Sequence, residues 1–321
     1  MRYVEIPGTE FKTAAIVMGS VCCVEGSVET AYRLLDMYRD AGGNMLDSAN
    51  VYGKFFPEGS NICDRHIGNW MRMRGCRNEF IVETKGGHPD PRGDGGARLG
   101  KEDIRRDLEE SLQALGTDTI DLFFLHRDDK SMSVGEIIEY LNDFKKEGKI
   151  RHFGTSNWTV DRICEAQEYA KKHGMEGFSA NQVLWSMADA DMEHYPWPGC
   201  TNMDEAAWKF HKETGMMAFA YESQARGFFQ KYQRTGLAGM PDGLRALYGS
   251  KENLARFKRA EKLAKEKQVS LSAIVLLYVM NSPFPSAALI GPRTEEQYRE
   301  SIEAADMRLS EAEWNYLEHG V

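Results

Sequence analysis

Four residues of different chemistry stand at the ends of successive apolar runs. Asp47 follows Asn44–Leu46, with Tyr52 five residues on; Lys85 follows Phe80–Glu83; His126 follows Ile120–Leu125. A carboxylate, a phenol, an ammonium and an imidazole suit the reduction of a carbonyl, which needs a proton at oxygen and a hydride at carbon. The phenol can give the proton, but it titrates near 10 when free. A neighbouring ammonium favours the phenolate, so Lys85 is expected to lower Tyr52 toward working pH. Asp47 would hold Lys85, and His126 would hydrogen-bond and orient the substrate oxygen. Each group acts on the charge that develops at that oxygen. Taken singly, each has a plainer reading: a turn residue, a packing aromatic, a solvated lysine, a satisfied core histidine. Their shared position at the ends of runs makes them a set.

The four can meet only if those runs are strands of one sheet. Apolar runs occur at Ala15–Met18, Asn44–Leu46, Phe80–Glu83, Ile120–Leu125, Ile150–Gly154, Ser179–Val183, Met216–Ala220 and Ala287–Ile290. Several are β-branched or aromatic and bounded by Gly, Asp or Asn, which reads as strand. Helical periodicity fills the gaps: Val28–Ala41, Asn61–Met73, Lys101–Leu115, Val134–Lys146, Val160–Lys172, Met203–Glu213, Lys251–Lys267 and Thr294–Ala304. Such alternation means parallel strands with crossover helices. The simplest closure is a (β/α)8 TIM barrel in one domain spanning 1–321, with strand ends converging on one mouth. A doubly wound open sheet would want a GxGxxG turn after the first strand, and none is present. Residues 1–13 read as a hairpin around Pro7-Gly8. Residues 186–203 and 225–250 read as long loops at the mouth.

Composition narrows the partners. Hydrophobic residues make up 42% of the 321, enough for a large core, and the net charge is −9. An acidic chain is a poor match for nucleic acid. The longest apolar run, Ala273–Met280, is far short of the roughly 20 residues that cross a membrane. The start lacks a secretory h-region, and the six cysteines show no CxxC or metal-ligand spacing. The expectation is a cytoplasmic protein with reduced thiols, no metal, and a small-molecule partner.

The stretch Asp47-Ser48-Ala49-Asn50-Val51-Tyr52-Gly53, the strand Phe80–Lys85, and the run from Ser111-Leu112 through Leu115-Gly116-Thr117 to Ile120–His126 resemble the aldo-keto reductase family. The likeness in order and spacing extends from Gly19 to Gln297. It implies a catalytic tetrad of Asp47, Tyr52, Lys85 and His126, with Tyr52 the proton donor in reduction. It implies NADP(H), with NAD(H) second. Gly19 belongs to the cofactor site; Ser156, Asn157 and Gln182 would hold the nicotinamide carboxamide, and Tyr221 would stack on its ring. Ser223, Gln224, Ala225, Arg226 and Gly227 would shape the pyrophosphate loop. Gly291, Arg293, Gln297 and Ser301 would take the adenosine end, with Arg293 on the 2′-phosphate. The chain departs from the family at Glu222-Ser223-Gln224, where Ser-Pro-Leu is usual, and at Ser301, where Asn is usual.

Substrate contacts are expected from loops. Phe55, Trp185, Tyr195 and Trp197, with Phe56, His88 and Met187, would form an aromatic wall. Asp128, Asp129, Asp189 and Asp191 would meet hydroxyls, which leans toward a polyhydroxylated or sugar-like carbonyl. The alternative is a nucleotide-binding regulatory subunit on the same fold with little turnover.

Overall fold

The computed structural model describes residues 1–24, 26–55, 61–91, 93 and 95–321, with only the main chain of Val21; Phe56 lies outside the described residues. A short antiparallel hairpin, β1 (Tyr3–Glu5) and β2 (Lys12–Ala14), precedes eight parallel strands: β3 (Ile16–Gly19), β4 (Met45–Asp47), β5 (Ile81–Gly86), β6 (Ile120–Leu125), β7 (Ile150–Ser156), β8 (Ala180–Leu184), β9 (Met217–Tyr221) and β10 (Ser286–Ile290). They follow one another around the circle, and β10 closes on β3. This is a TIM barrel, with each of the eight expected strands in place within a few residues.

Inside the barrel, Val17, Met45, Ile81, Leu122, Phe124 and Phe219 pack into an apolar plug. Phe124 takes so much of that space that β7 must carry a glycine beside it. A Cβ on Gly154 would lie 2.4 Å from the Phe124 ring and 2.7 Å from the Ala180 carbonyl oxygen. The hairpin seals the N-terminal end, where Ile6 and Phe11 join the plug. His152 of β7 bridges Glu10 of the hairpin (2.7 Å) and Glu176 (2.7 Å).

The outer layer is α1 (Val28–Asp40), α2 (Ile62–Arg74), α3 (Lys101–Leu115), α4 (Val134–Lys146), α5 (Val160–His173), α6 (Glu205–Thr214), α7 (Phe228–Thr235), α8 (Asp242–Tyr248), α9 (Lys251–Lys267), α10 (Leu271–Met280), α11 (Glu295–Ile302) and α12 (Glu311–His319). In α1, Ala31, Leu34, Leu35 and Tyr38 form the buried stripe, and the Ser27 hydroxyl accepts from Thr30 N–H at the start. A cap of that kind contributes about 1 kcal/mol. One expectation is corrected. Residues 225–250 are not one long loop but contain α7 and α8, which Gly227, Gly236 and Pro241 delimit. The run Ala273–Met280 belongs to α10, in which every residue is buried, so no polar face marks its period.

All six cysteines are free thiols. Among the described residues, no helix is long and apolar enough to cross a membrane.

Candidate active site

Strand register brings the four chemical residues together. In the barrel, Gly19 lies beside Asp47, Asp47 beside Glu83, and Lys85 beside Phe124, with His126 just beyond β6. Residues two apart on a strand share a face, so Glu83 and Lys85 both point inward. The Lys85 ammonium donates to Asp47 Oδ2 (2.5 Å) and to the Ser48 carbonyl (2.7 Å), and it lies 3.1 Å from Glu83 Oε1. Gln182 of β8 donates to the same Asp47 oxygen (2.9 Å). Lys85 and Glu83 are fully buried and Asp47 nearly so.

Charge follows from these contacts. Burial opposes the Asp47 carboxylate, but Lys85, helped by hydrogen bonds from its neighbours, brings it below the usual carboxylate range. Burial also opposes the Lys85 ammonium, and Asp47 and Glu83 more than reverse that, raising it above the usual lysine range. The Lys85 ammonium sits 5.4 Å from the centre of the Tyr52 ring. The expected lowering of Tyr52 is overturned. Burial raises the phenol above its ordinary range, and the opposing pull of Lys85 is the weaker effect. The phenol is therefore held in the form that has a proton to give.

The His126 ring meets Tyr52 edge-on at 5.8 Å. Burial, then the nearby His88, Arg127 and Lys85, push it well below its ordinary range, so it is a neutral imidazole. Its Nδ1 is buried without a hydrogen-bond partner. His88 packs against it at 4.8 Å, and Phe55 against His88 at 6.1 Å.

The residues expected around the cofactor also converge. Asn157 follows β7 in a left-handed conformation (φ 64°). Its amide donates to the Ser156 hydroxyl (2.9 Å) and the His126 carbonyl (3.2 Å), and its oxygen accepts from the Tyr221 hydroxyl (2.8 Å). A Cβ on Gly19 would come within 3.0 Å of the Ile290 carbonyl oxygen, so bare backbone lines that side. After β9, Ala225, Arg226 and Gly227 have φ of 49°, 54° and 74° in succession, a tight curl in which the Ala225 and Gly227 N–H groups donate to the Glu222 (2.7 Å) and Gln224 (2.8 Å) carbonyls. Gln224 donates to the Ser301 hydroxyl (3.3 Å), joining this loop to α11. Gln297 accepts from the Arg293 N–H (2.8 Å). Lys231, which the sequence did not single out, donates to the Arg226 carbonyl (2.8 Å). Burial, then Arg293, Arg234 and Arg226, hold its ammonium below the usual lysine range. Four cations, Lys231, Arg226, Arg234 and Arg293, thus stand near one another, with Arg226 balanced by Glu222. One expected side chain is engaged elsewhere: Ser223 donates into β10 at the Leu289 carbonyl (2.6 Å); Gly291 follows β10 and is exposed.

Glu222 explains the departure from the usual loop sequence. It pairs with Arg226 in a two-pronged ion pair (2.7 and 2.8 Å) and accepts from the hydroxyls of Tyr195 (3.1 Å) and Tyr248 (3.3 Å). The Arg226 guanidinium lies 5.3 Å from the Tyr195 ring and 4.7 Å from the Trp197 ring. Tyr195 and Trp197 thus cover the loop after β9.

Trp185 is placed away from the mouth. It is buried and packs with Trp208, Tyr278 and Phe284, because the chain turns into the core directly after β8. Met187 is buried too. The acids expected to meet hydroxyls have protein partners: Asp128 holds Arg162, Asp129 accepts from Ser131, Asp189 holds Arg256 and Asp191 pairs with His194.

The barrel with this proton-handling cluster at its mouth is the architecture of an oxidoreductase acting between carbonyl and alcohol. The chain belongs to the Aldo/keto reductase family, whose profile it matches over residues 16–320. It is similar to an aryl-alcohol dehydrogenase of Pestalotiopsis microspora, at 28% identity over 92% of this chain and 73% of the relative. It is also similar to a norsolorinic acid reductase of Emericella nidulans, at 29% identity over 89% and 70%. The uncharacterized oxidoreductase YrpG of Bacillus subtilis is 30% identical over 96% and 92%.

Proposed function

We propose that the protein is an NADP(H)-dependent reductase that interconverts an aldehyde or ketone and its alcohol, with Tyr52 as the proton donor and residues 1–321 acting as one domain. The observation that carries this reading is the buried Lys85, 2.5 Å from Asp47 and 5.4 Å from the centre of the Tyr52 ring. A bound nicotinamide supplies the hydride. In reduction the Tyr52 O–H bond breaks and its proton goes to the substrate oxygen. The phenolate left behind is stabilised by Lys85, which Asp47 keeps charged. His126, neutral, donates a ring N–H to the same oxygen and fixes its position. Ser156, Asn157, Gln182 and Tyr221 hold the nicotinamide end. The cluster of Arg226, Lys231, Arg234 and Arg293 takes the phosphates, with Arg293 at the 2′-phosphate, the basis for preferring NADP(H) over NAD(H).

For the substrate we favour a hydroxylated carbonyl. Beside His88, a cavity of about 190 Å³ opens between the loops after β4 and β5 and helix α3, bounded by Asn50, Lys54, His88, Arg98, Asp107 and Glu110. Its paired charges offer donors and acceptors together, as a polyol needs. The second reading is an aromatic carbonyl. It is favoured by the Phe55–His88 edge contact and by the names of the aryl-alcohol and norsolorinic acid relatives.

Tyr52→Phe tests the reaction. Loss of the acid is expected to lower kcat by about 10²–10⁴-fold while NADPH binding, followed by tryptophan quenching, stays within about twofold. A Tyr52→Phe protein that reduces glyceraldehyde or benzaldehyde at the native rate refutes the assignment.

A further inference from the structure

Glu83 is the buried acid that the reaction above leaves unused. It sits inside the barrel with no exposed surface, directly beside Asp47 across the β4–β5 pair and on the same face as Lys85. Its partner across the β5–β6 pair, Leu122, is apolar. The groups that face it are therefore Asp47 from β4 and Lys85 from its own strand; Tyr52 and Gln182 lie one contact further, on Lys85 and Asp47 respectively.

Two carboxyl groups side by side in a dry interior cannot both be ionised against one ammonium. Like charges opposite each other on neighbouring strands destabilise a sheet, and an uncompensated buried charge costs several kcal/mol. The detailed contacts agree. Glu83 Oε2 accepts from Lys85 (3.3 Å), while Oε1 has no hydrogen-bond partner. The two carboxyl groups are neighbours across the β4–β5 pair and share one ammonium, Asp47 Oδ2 at 2.5 Å and Glu83 Oε1 at 3.1 Å, and a hydrogen bond between them requires that one of the two carry a proton. Asp47, gripped by Lys85 and Gln182, is the one held as the anion.

We propose that Glu83 is a positioning residue that stays protonated, donating its O–H to Asp47 and thereby fixing the carboxylate that holds Lys85 beneath Tyr52, with the three buried groups summing to zero charge. Burial and the adjacent Asp47 push the Glu83 carboxyl well above its usual range, in the same direction. Neutrality matters to Tyr52. A second carboxylate below it would disfavour the phenolate, opposing Lys85. The catalytic part of this inference rests on the proposed carbonyl reduction; the protonation of Glu83 does not.

Two variants separate the roles. Glu83→Gln keeps a neutral side chain that donates to Asp47; Glu83→Leu fills the space and donates nothing. Infrared difference spectra of the protein at pH 7 to 9 are expected to contain the carbonyl stretch of a buried, protonated carboxyl group that disappears in both variants. In reduction of glyceraldehyde and benzaldehyde with NADPH, Glu83→Leu is expected to lose about tenfold or more in kcat with KM little changed, and to shift the alkaline limb of the pH profile. Glu83→Gln is expected to restore kcat to within about threefold and return the limb to its native place. The proposal is overturned if no protonated-carboxyl band is lost, if Glu83→Gln moves the limb as a lost negative charge would, or if the two variants behave alike. Should the native protein reduce neither aldehyde, the proposed reaction falls, and the infrared comparison, which needs no turnover, still decides whether Glu83 carries the proton.

Discussion

Replacing Lys85 by Met removes the cation that contacts the buried Asp47 and Glu83 carboxyl groups, and the cost has a pH dependence that can be worked out. Asp47 loses its partner at 2.5 Å, keeping only the Gln182 amide, and the Ser48 carbonyl loses a donor at 2.7 Å. Breaking a buried pair by deleting one member costs about 3–5 kcal/mol. Asp47 has one way to limit the loss, which is to take up a proton. Forcing a carboxyl of ordinary pKa, about 3.9, to be neutral at pH 7 costs about 4 kcal/mol, at 1.36 kcal/mol per pH unit. That figure caps the electrostatic damage at pH 7, and the cap falls to about 1.5 kcal/mol at pH 5. The sign follows from linkage: native Lys85→Met binds one proton more than the native original protein does, on Asp47, while the unfolded chains bind alike there, so acid stabilises the variant relative to the original protein. At about 2 °C per kcal/mol for a chain of this size, the melting temperature should fall by about 8 °C at pH 7 and about 3 °C at pH 5. Thermal denaturation of both proteins from pH 5 to 8 measures the gap. A gap that does not narrow on acidification refutes the argument, as does an Asp47→Asn, Lys85→Met double variant whose gap remains as steep in pH as that of Lys85→Met alone.

Three further outcomes are expected. His152, gripped by Glu176 and Glu10 against the opposing effect of burial, has its pKa raised above the ordinary value. Its stabilisation is therefore full below about pH 6.5 and is lost as pH rises through the raised value. The melting-temperature advantage over His152→Gln should be larger at pH 6 than at pH 9, and an advantage that grows with alkalinity contradicts the assignment. Gly154→Ala drives a methyl to 2.4 Å from the Phe124 ring and 2.7 Å from the Ala180 carbonyl; denaturant titration should find it less stable by about 1–3 kcal/mol, the range for overpacking. Arg293→Ala should weaken NADPH by about tenfold or more while leaving NADH within about twofold, the loss expected of a charged pair; equal losses in a fluorescence titration would remove Arg293 from the 2′-phosphate.

The barrel was legible because each strand is a short apolar run between turn residues, and the proton-handling set because its members stand where those runs end. What stayed hidden has particular causes. Helix α10 is buried on every side, so its period leaves no trace in polarity. Helix α12, absent from the expected helices, does carry a local signal, the capping box of Ser310 and Glu313. Helices α7 and α8 are short and set among glycines. Trp185 and Trp197 read alike as aromatics in one loop region, yet one packs in the core and the other is more than half exposed, a difference made by distant α6 and α10. Glu83 was within reach: two residues before Lys85 on a strand, it had to share that face. Lys231 was not, since Arg293 is brought near it only by the closed barrel.

The clasp around Glu222 also bears on where the free energy of ligand capture resides. Residues in the left-handed region other than glycine are strained by about 1–3 kcal/mol each, and Glu222, Ala225 and Arg226 are all there. Tyr195, Trp197 and Tyr248 keep them so through the ion pair between Glu222 and Arg226. The shape of the loop is thus held by contacts within the protein. Such preorganisation converts part of the fold's stability into affinity. Loosening the clasp would leave a barrel that is no less well folded elsewhere and a weaker grip on whatever the loop embraces.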